Sequence, residues 1–217
     1  MAVRVAHRKT ADRAGDKASY HHGDLRRALL DASLALIAEE GSSALSLREV
    51  ARRAGVTHAA PYRHFVDKEA LLAAVAEEGH RAMAERMRET MARATTPLDR
   101  LEACGVAYVL FTVEHPAHFR VMFGPHFTRP VVAADSPDPV NSFRLLLDTI
   151  VEAQRAGQLR AEPPETLALT CWSLVHGLAS LWVDRQLGAQ EPGPGLEGIA
   201  RQQTRLLLQG LALPPRG

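Results

Sequence analysis

At 217 residues the chain can form one large core or two modest ones, and its composition favours helices: 46% hydrophobic, only 5% aromatic, with Ala, Leu, Arg and Glu abundant. Two cysteines, Cys104 and Cys171, with no motif pairing them argue against a secreted disulfide scaffold and fit a reducing cytoplasm. The net charge of +1 conceals an asymmetry, since residues 1–68 hold 12 Lys or Arg against 8 Asp or Glu and the remainder 14 against 17. An anionic partner is therefore expected for the first third.

An all-α, soluble protein is expected. Residues 1–19, polar and without an apolar h-region, read as a flexible basic arm rather than a signal peptide. A first helix is predicted from an Asp24 N-cap through LRRALLDASLALIAEE, with Leu25, Leu29, Ala32, Leu36 and Ile37 on one face and Gly41 as its stop. In SLREVARRAG, Ser46 and Glu49 have capping-box spacing, and Gly55 closes the helix. A third short helix is predicted to open at Thr57, with Pro61 tolerated in its first turn.

From Asp67 a long helix follows, its Met83, Met87 and Met91 stripe predicted to be core. Thr96 and Pro97 begin the next helix, Pro116 opens the short piece AHFRVMFG, and a Pro-rich loop occupies about 124–140. Helices over NSFRLLLDTIVEAQRAG, from about Pro164 to Leu187, and over LEGIARQQTRLLLQGL complete the chain. The charge-free run 167–183 has 17 residues, short of the roughly 20 a membrane span needs, and is predicted to be a buried helix.

The stretch VTHAAPYRHF, residues 56–65, carries no acidic residue. With SLREVARRAG before it, it has the form of a helix-turn-helix unit, although the same pattern also fits a plain turn in a helical bundle. Small side chains let the backbone approach a groove, and Thr57, His58, Tyr62 and Arg63 can donate to phosphates or bases. Phe65 and the inner side of Tyr62 are predicted to pack on Leu45, Leu47, Val50 and Ala54.

With the flanks YHHGDLRRALL and HFVDKEALL, residues 20–75 resemble the DNA-binding domain of the TetR family of bacterial transcriptional repressors. The resemblance implies a three-helix helix-turn-helix DNA-binding domain over 20–68 and a helical ligand-binding and dimerisation domain over 69–217. It implies that Thr57 caps the recognition helix and bonds a phosphate, that His58, Ala59 and Ala60 face base edges, and that Tyr62 and His64 meet the sugar-phosphate backbone. Lys68 is implied to contact phosphate, and Tyr20, His21, Ser46 and Arg63 join the DNA-binding candidates. Pro61 departs from the leucine or isoleucine common in the family. Further on, WSLVHG, residues 172–177, resembles the Trp-His-Gly signature of one subfamily.

The implied partners are operator DNA, a small-molecule effector and a second copy of the chain, with no cofactor and no membrane. The helix from Asn141 to Ala156, with Phe143, Leu146, Leu147, Ile150 and Val151 on one stripe, and the apolar 167–183 run suggest a bundle shared between subunits. Tyr108, Phe111, Phe119, Met122, Phe123, Trp172 and His176 are candidate effector contacts, the aromatics also reading as ordinary core and His176 as a satisfied core histidine. His115 and His118 have HxxH spacing, but Pro116 intervenes and nothing completes a zinc set, so no metal is expected. No nucleophile motif, P-loop or dinucleotide fingerprint occurs, which leaves an enzyme of unrecognised class or a helical adaptor as the alternatives to a regulator.

Overall fold

The computed structural model describes residues 22–124, 142–187 and 195–212. Among these, eight α-helices follow one another: α1 His22–Glu40, α2 Leu47–Arg53, α3 Lys68–Met91, α4 Pro97–Glu114, α5 Pro116–Met122, α6 Ser142–Arg155, α7 Pro164–Val183 and α8 Gly195–Leu211. The basic arm, Tyr20, His21 and the Pro-rich loop lie outside the described residues.

Local signals set most helix ends. Ser46 caps α2, its Oγ accepting from the Glu49 N–H at 3.2 Å. The Glu49 carboxylate turns to Arg52 instead of completing the predicted reciprocal box. A full capping box stands at Thr96 and Asp99, where α4 begins. Gly55, at φ +68°, lets Val56 N–H reach the Ala51 carbonyl and Gly55 N–H the Arg52 carbonyl, a Schellman closure that a Cβ would strain. Asp67 caps α3 by accepting from Ala70 N–H at 2.7 Å. The helix α1 is already formed at His22, so Asp24 stands inside its first turn rather than at its cap.

Two groupings result. Leu29, Leu36 and Ile37 of α1 are buried with Leu45, Leu47, Val50 and Phe65, forming a small N-terminal module. The long helix α3 leaves that module and packs on α4, α5 and α6, with Met83, Met87 and Met91 in the core. The central α4 touches α3 and α5–α8. At Gly79 the helices α3 and α5 come so close that an added Cβ would stand 2.5 Å from Met122 Sδ.

Two sequence expectations are corrected here. The apolar stripe of α6 (Phe143, Leu146, Leu147 and Ile150) is buried inside the chain itself, so it gives no argument for a shared bundle. The helix α7, which contains the charge-free run, spans the 20 residues Pro164–Val183 and is long and apolar enough to cross a membrane by length and composition. It is not a buried helix: only 28% of its apolar window is buried, and Leu169 is 51% exposed. Its Val175 and Ala179 face the core.

Candidate nucleic-acid interface and interior cavity

The segment after Gly55 is not the α-helix the sequence suggested. Ala60 N–H bonds the Thr57 carbonyl, Arg63 N–H bonds Ala60 and His64 N–H bonds Pro61 with three-residue spacing, Phe65 N–H bonds Pro61 with four, and only Pro61–Arg63 forms a 3-10 turn. Pro61 has no N–H to continue the four-residue pattern, which accounts for the tighter winding. Pro61 is buried and Tyr62 is 54% exposed, open for the contact expected of its hydroxyl. Thr57 takes part through its carbonyl, and the start of the 3-10 turn has no side-chain cap.

The outer surface of this module consists of Thr57, His58, Ala59, Tyr62 and Arg63, all exposed, with Ala60 half-buried beside them. No acidic residue falls between Glu49 and Asp67. Arg63 has no carboxylate partner among the described residues, whereas Arg52 is held by Glu49 and Arg53 by Glu39. Lys68 is half-buried and donates to the Ser42 carbonyl at 3.1 Å, tying the start of α3 to the turn after α1. His64 turns inward: its Nε2 is buried without a hydrogen-bond partner, which leaves only Nδ1 for an outside contact. Two residues outside the sequence-based set share the surface. Val66 is 81% exposed, and Arg48 is exposed on α2. A valine reads as core in any hydrophobic pattern; its place just ahead of the Asp67 cap was the only hint.

A second feature lies among α3, α4, α6, α7 and α8, a cavity of about 30 Å³. Tyr108, Phe123 and Trp172 line it with Met87, Cys104 and Leu208. Trp172 Nε1 donates to the Tyr108 hydroxyl at 3.3 Å, and that hydroxyl lies 2.8 Å from His176 Nδ1. Burial pushes the His176 pKa below the ordinary imidazole value, so the ring is neutral at neutral pH, and its tautomer sets which way the hydrogen bond between Nδ1 and the Tyr108 hydroxyl runs. Phe119 and Phe123 pack on the His176 ring, at 5.2 and 4.9 Å between centroids. Of the remaining effector candidates, Phe111 stacks on His115 at 4.6 Å, and Met122 is buried against Gly79. Cavity walls from α8, such as Thr204 and Leu208, carried no local signal.

An exposed, acid-free turn following the packed helices α1 and α2 makes the N-terminal unit a helix-turn-helix module, joined by α3 to a larger all-helical domain. Two family models match the chain: "Bacterial regulatory proteins, tetR family" over residues 29–75, and "Tetracyclin repressor-like, C-terminal domain" over residues 101–205. The chain belongs to the TetR family. The HTH-type transcriptional regulator BetI of Rhizobium meliloti is 37% identical over 82 residues, which cover 36% of this chain and 38% of that protein, so the chain matches little more than a third of this relative's length. A Rhodococcus sp. RHA1 protein of unknown function has a similar structure, with a TM-score of 0.74 and 30% identity over 91% of this chain and all of that one. A TetR family transcription regulator from Marinobacter aquaeolei VT8 shares the fold, with a TM-score of 0.67 at 20% identity, over 88% of this chain and 96% of that one.

Proposed function

We propose that the chain is a cytoplasmic, homodimeric transcriptional repressor, without catalytic activity, that leaves a palindromic operator when a small molecule occupies its interior. Residues 20–68 bind DNA and residues 69–217 bind the effector and dimerise. The observation that carries this reading is the surface from Thr57 to Val66, which offers a polyanion exposed donors and no negative charge. Tyr62 and Arg63 reach phosphate, and His58 and Ala59 meet base edges. The Trp172, His176 and Gly177 pattern supports placement in the Trp-His-Gly subfamily.

Dimerisation is assigned to α7 and α8, where Leu169, Leu181 and Leu206 stand exposed. A second copy related by a two-fold axis covers them in a four-helix bundle and sets two recognition turns about 34–36 Å apart, one turn of DNA. Release follows when the effector favours a different spacing, by roughly several kcal/mol for a decisive switch. Transmission runs through α3 and α5, both of which touch α1. Selection of bound duplexes from a random pool, with and without cell extract, tests the reading: a palindrome displaced by extract is expected, and no preference for any duplex at low salt overturns it.

A further inference from the structure

The cavity restricts the chemistry of its occupant. Among the described residues no charged side chain lines it. Its two thiols, on Cys104 and Cys171, are pushed by burial up to about 12 and about 11, so they stay protonated and offer no charge either. An ionised carboxylate or phosphate entering such walls gives up its hydration and gains no counter-charge, which costs several kcal/mol.

The hydrogen-bonding groups of the lining are all neutral: Ser142 and Thr204 contribute hydroxyls from α6 and α8, and Tyr108 pairs with Trp172 where α4 meets α7. There the two bonds of the Tyr108 hydroxyl differ: the contact with neutral His176 is short at 2.8 Å, and the one from Trp172 Nε1 is long at 3.3 Å. The Trp172 N–H is the donor more easily given to a newcomer. At about 30 Å³ the cavity has room for one water, so an organic occupant must push apolar side chains apart, and only an apolar body recovers that contact area.

Resting on the reading of this cavity as the effector site, we propose that the effector is an uncharged, mainly apolar molecule with one acceptor oxygen, a hydroxyl or carbonyl, placed on Trp172 Nε1 beside Tyr108. The corresponding carboxylate of the same skeleton is excluded by the lining.

Matched pairs of probes test this on the full-length protein by calorimetry at pH 8: 1-octanol against octanoate, and 2-naphthylmethanol against 2-naphthoate. At least one alcohol is expected to bind ten-fold or more tightly than its carboxylate. Trp172→Phe, which keeps an aromatic ring and removes the N–H, is expected to weaken that alcohol by about ten-fold. Leu146→Phe, which fills the cavity from α6, is expected to abolish binding of either class. Equal or tighter binding of the carboxylates, lost in Leu146→Phe, overturns the uncharged effector and leaves the cavity as the site. Alcohol binding indifferent to Trp172→Phe overturns the assigned oxygen contact. Alcohol binding indifferent to Leu146→Phe, or no binding by any probe, removes the effector cavity together with this proposal.

Discussion

Glu78 on α3 joins two helices from opposite sides: Arg27 of α1 reaches its Oε2 at 3.2 Å, and His118 Nε2 of α5 lies 3.4 Å from its Oε1. One carboxylate thus sits where the DNA-binding module, the long connecting helix and the short helix ending at the cavity meet. Arg27 is mostly exposed, so its pair with Glu78 contributes no more than about 0–1 kcal/mol to stability. Its value is positional. Glu78→Gln is expected to leave operator affinity within about three-fold while shifting the extract concentration needed for release. Fluorescence anisotropy with labelled operator measures both, and an unshifted release curve takes Glu78 out of the coupling route.

Acidification acts on the same region. Burial lowers the His118 pKa, with Glu78 opposing, and burial lowers that of His176. Each ring binds a proton more readily unfolded than folded, so stability is full above the unfolded value of about 6.5 and is lost as pH falls towards the folded values. The shifted carboxylates, Glu49 and Asp99, lie below the usual carboxylate range and act in more acid solution. The melting temperature should therefore fall between pH 7 and pH 5, and His176→Gln should flatten that slope.

Arg63 faces outward with no carboxylate partner among the described residues. Arg63→Ala is expected to weaken all duplexes alike and to reduce the slope of log K against log salt by about one. His58→Ala should instead change which sequence is preferred. Lys68→Ala carries a second consequence, because its ammonium also holds the Ser42 carbonyl: some loss of melting temperature should accompany any loss of affinity. An unchanged salt slope in Arg63→Ala separates that residue from the phosphates.

Leu206 is 56% exposed on α8, where a charge costs the single chain little. Leu206→Glu is expected to give a folded protein that sediments as a monomer and binds operator at least ten-fold more weakly. A dimer that persists would move the interface away from α7 and α8.

At Gly79 the contact is too tight for a methyl group. Gly79→Ala must displace Met122 and crowd His118 Cδ2, which stands 3.1 Å from the added carbon. Overpacking of this kind costs about 1–3 kcal/mol, to be read from denaturant unfolding.

How much of this was visible in the sequence follows from the range of each signal. Ser46, Gly55, Asp67, Thr96 and Gly157 act within a few residues of themselves, and each marks a helix end in the structure. The burial of Pro61 carries no sequence signal, because a helical period of 3.6 does not describe a stretch that winds as a 3-10 turn. The exposure of α7 was hidden for a different reason: a helix apolar on every side does not say which side its own chain covers. Tyr108 and His176 were both candidates, but their bond spans 68 residues, and no local pattern encodes it.

On the proposed reading of the chain as a repressor released by an effector in this cavity, the smallness of the cavity sets how sensitive the protein can be. A molecule that fits only a rearranged interior sees an apparent dissociation constant equal to the intrinsic one divided by the fraction of molecules already open. Trimming a wall residue such as Leu146 or Leu208 enlarges that fraction, lowering the dose needed for induction while raising basal expression of the controlled genes. Under that proposal, tight silencing and a low induction threshold compete for the same few cubic ångströms.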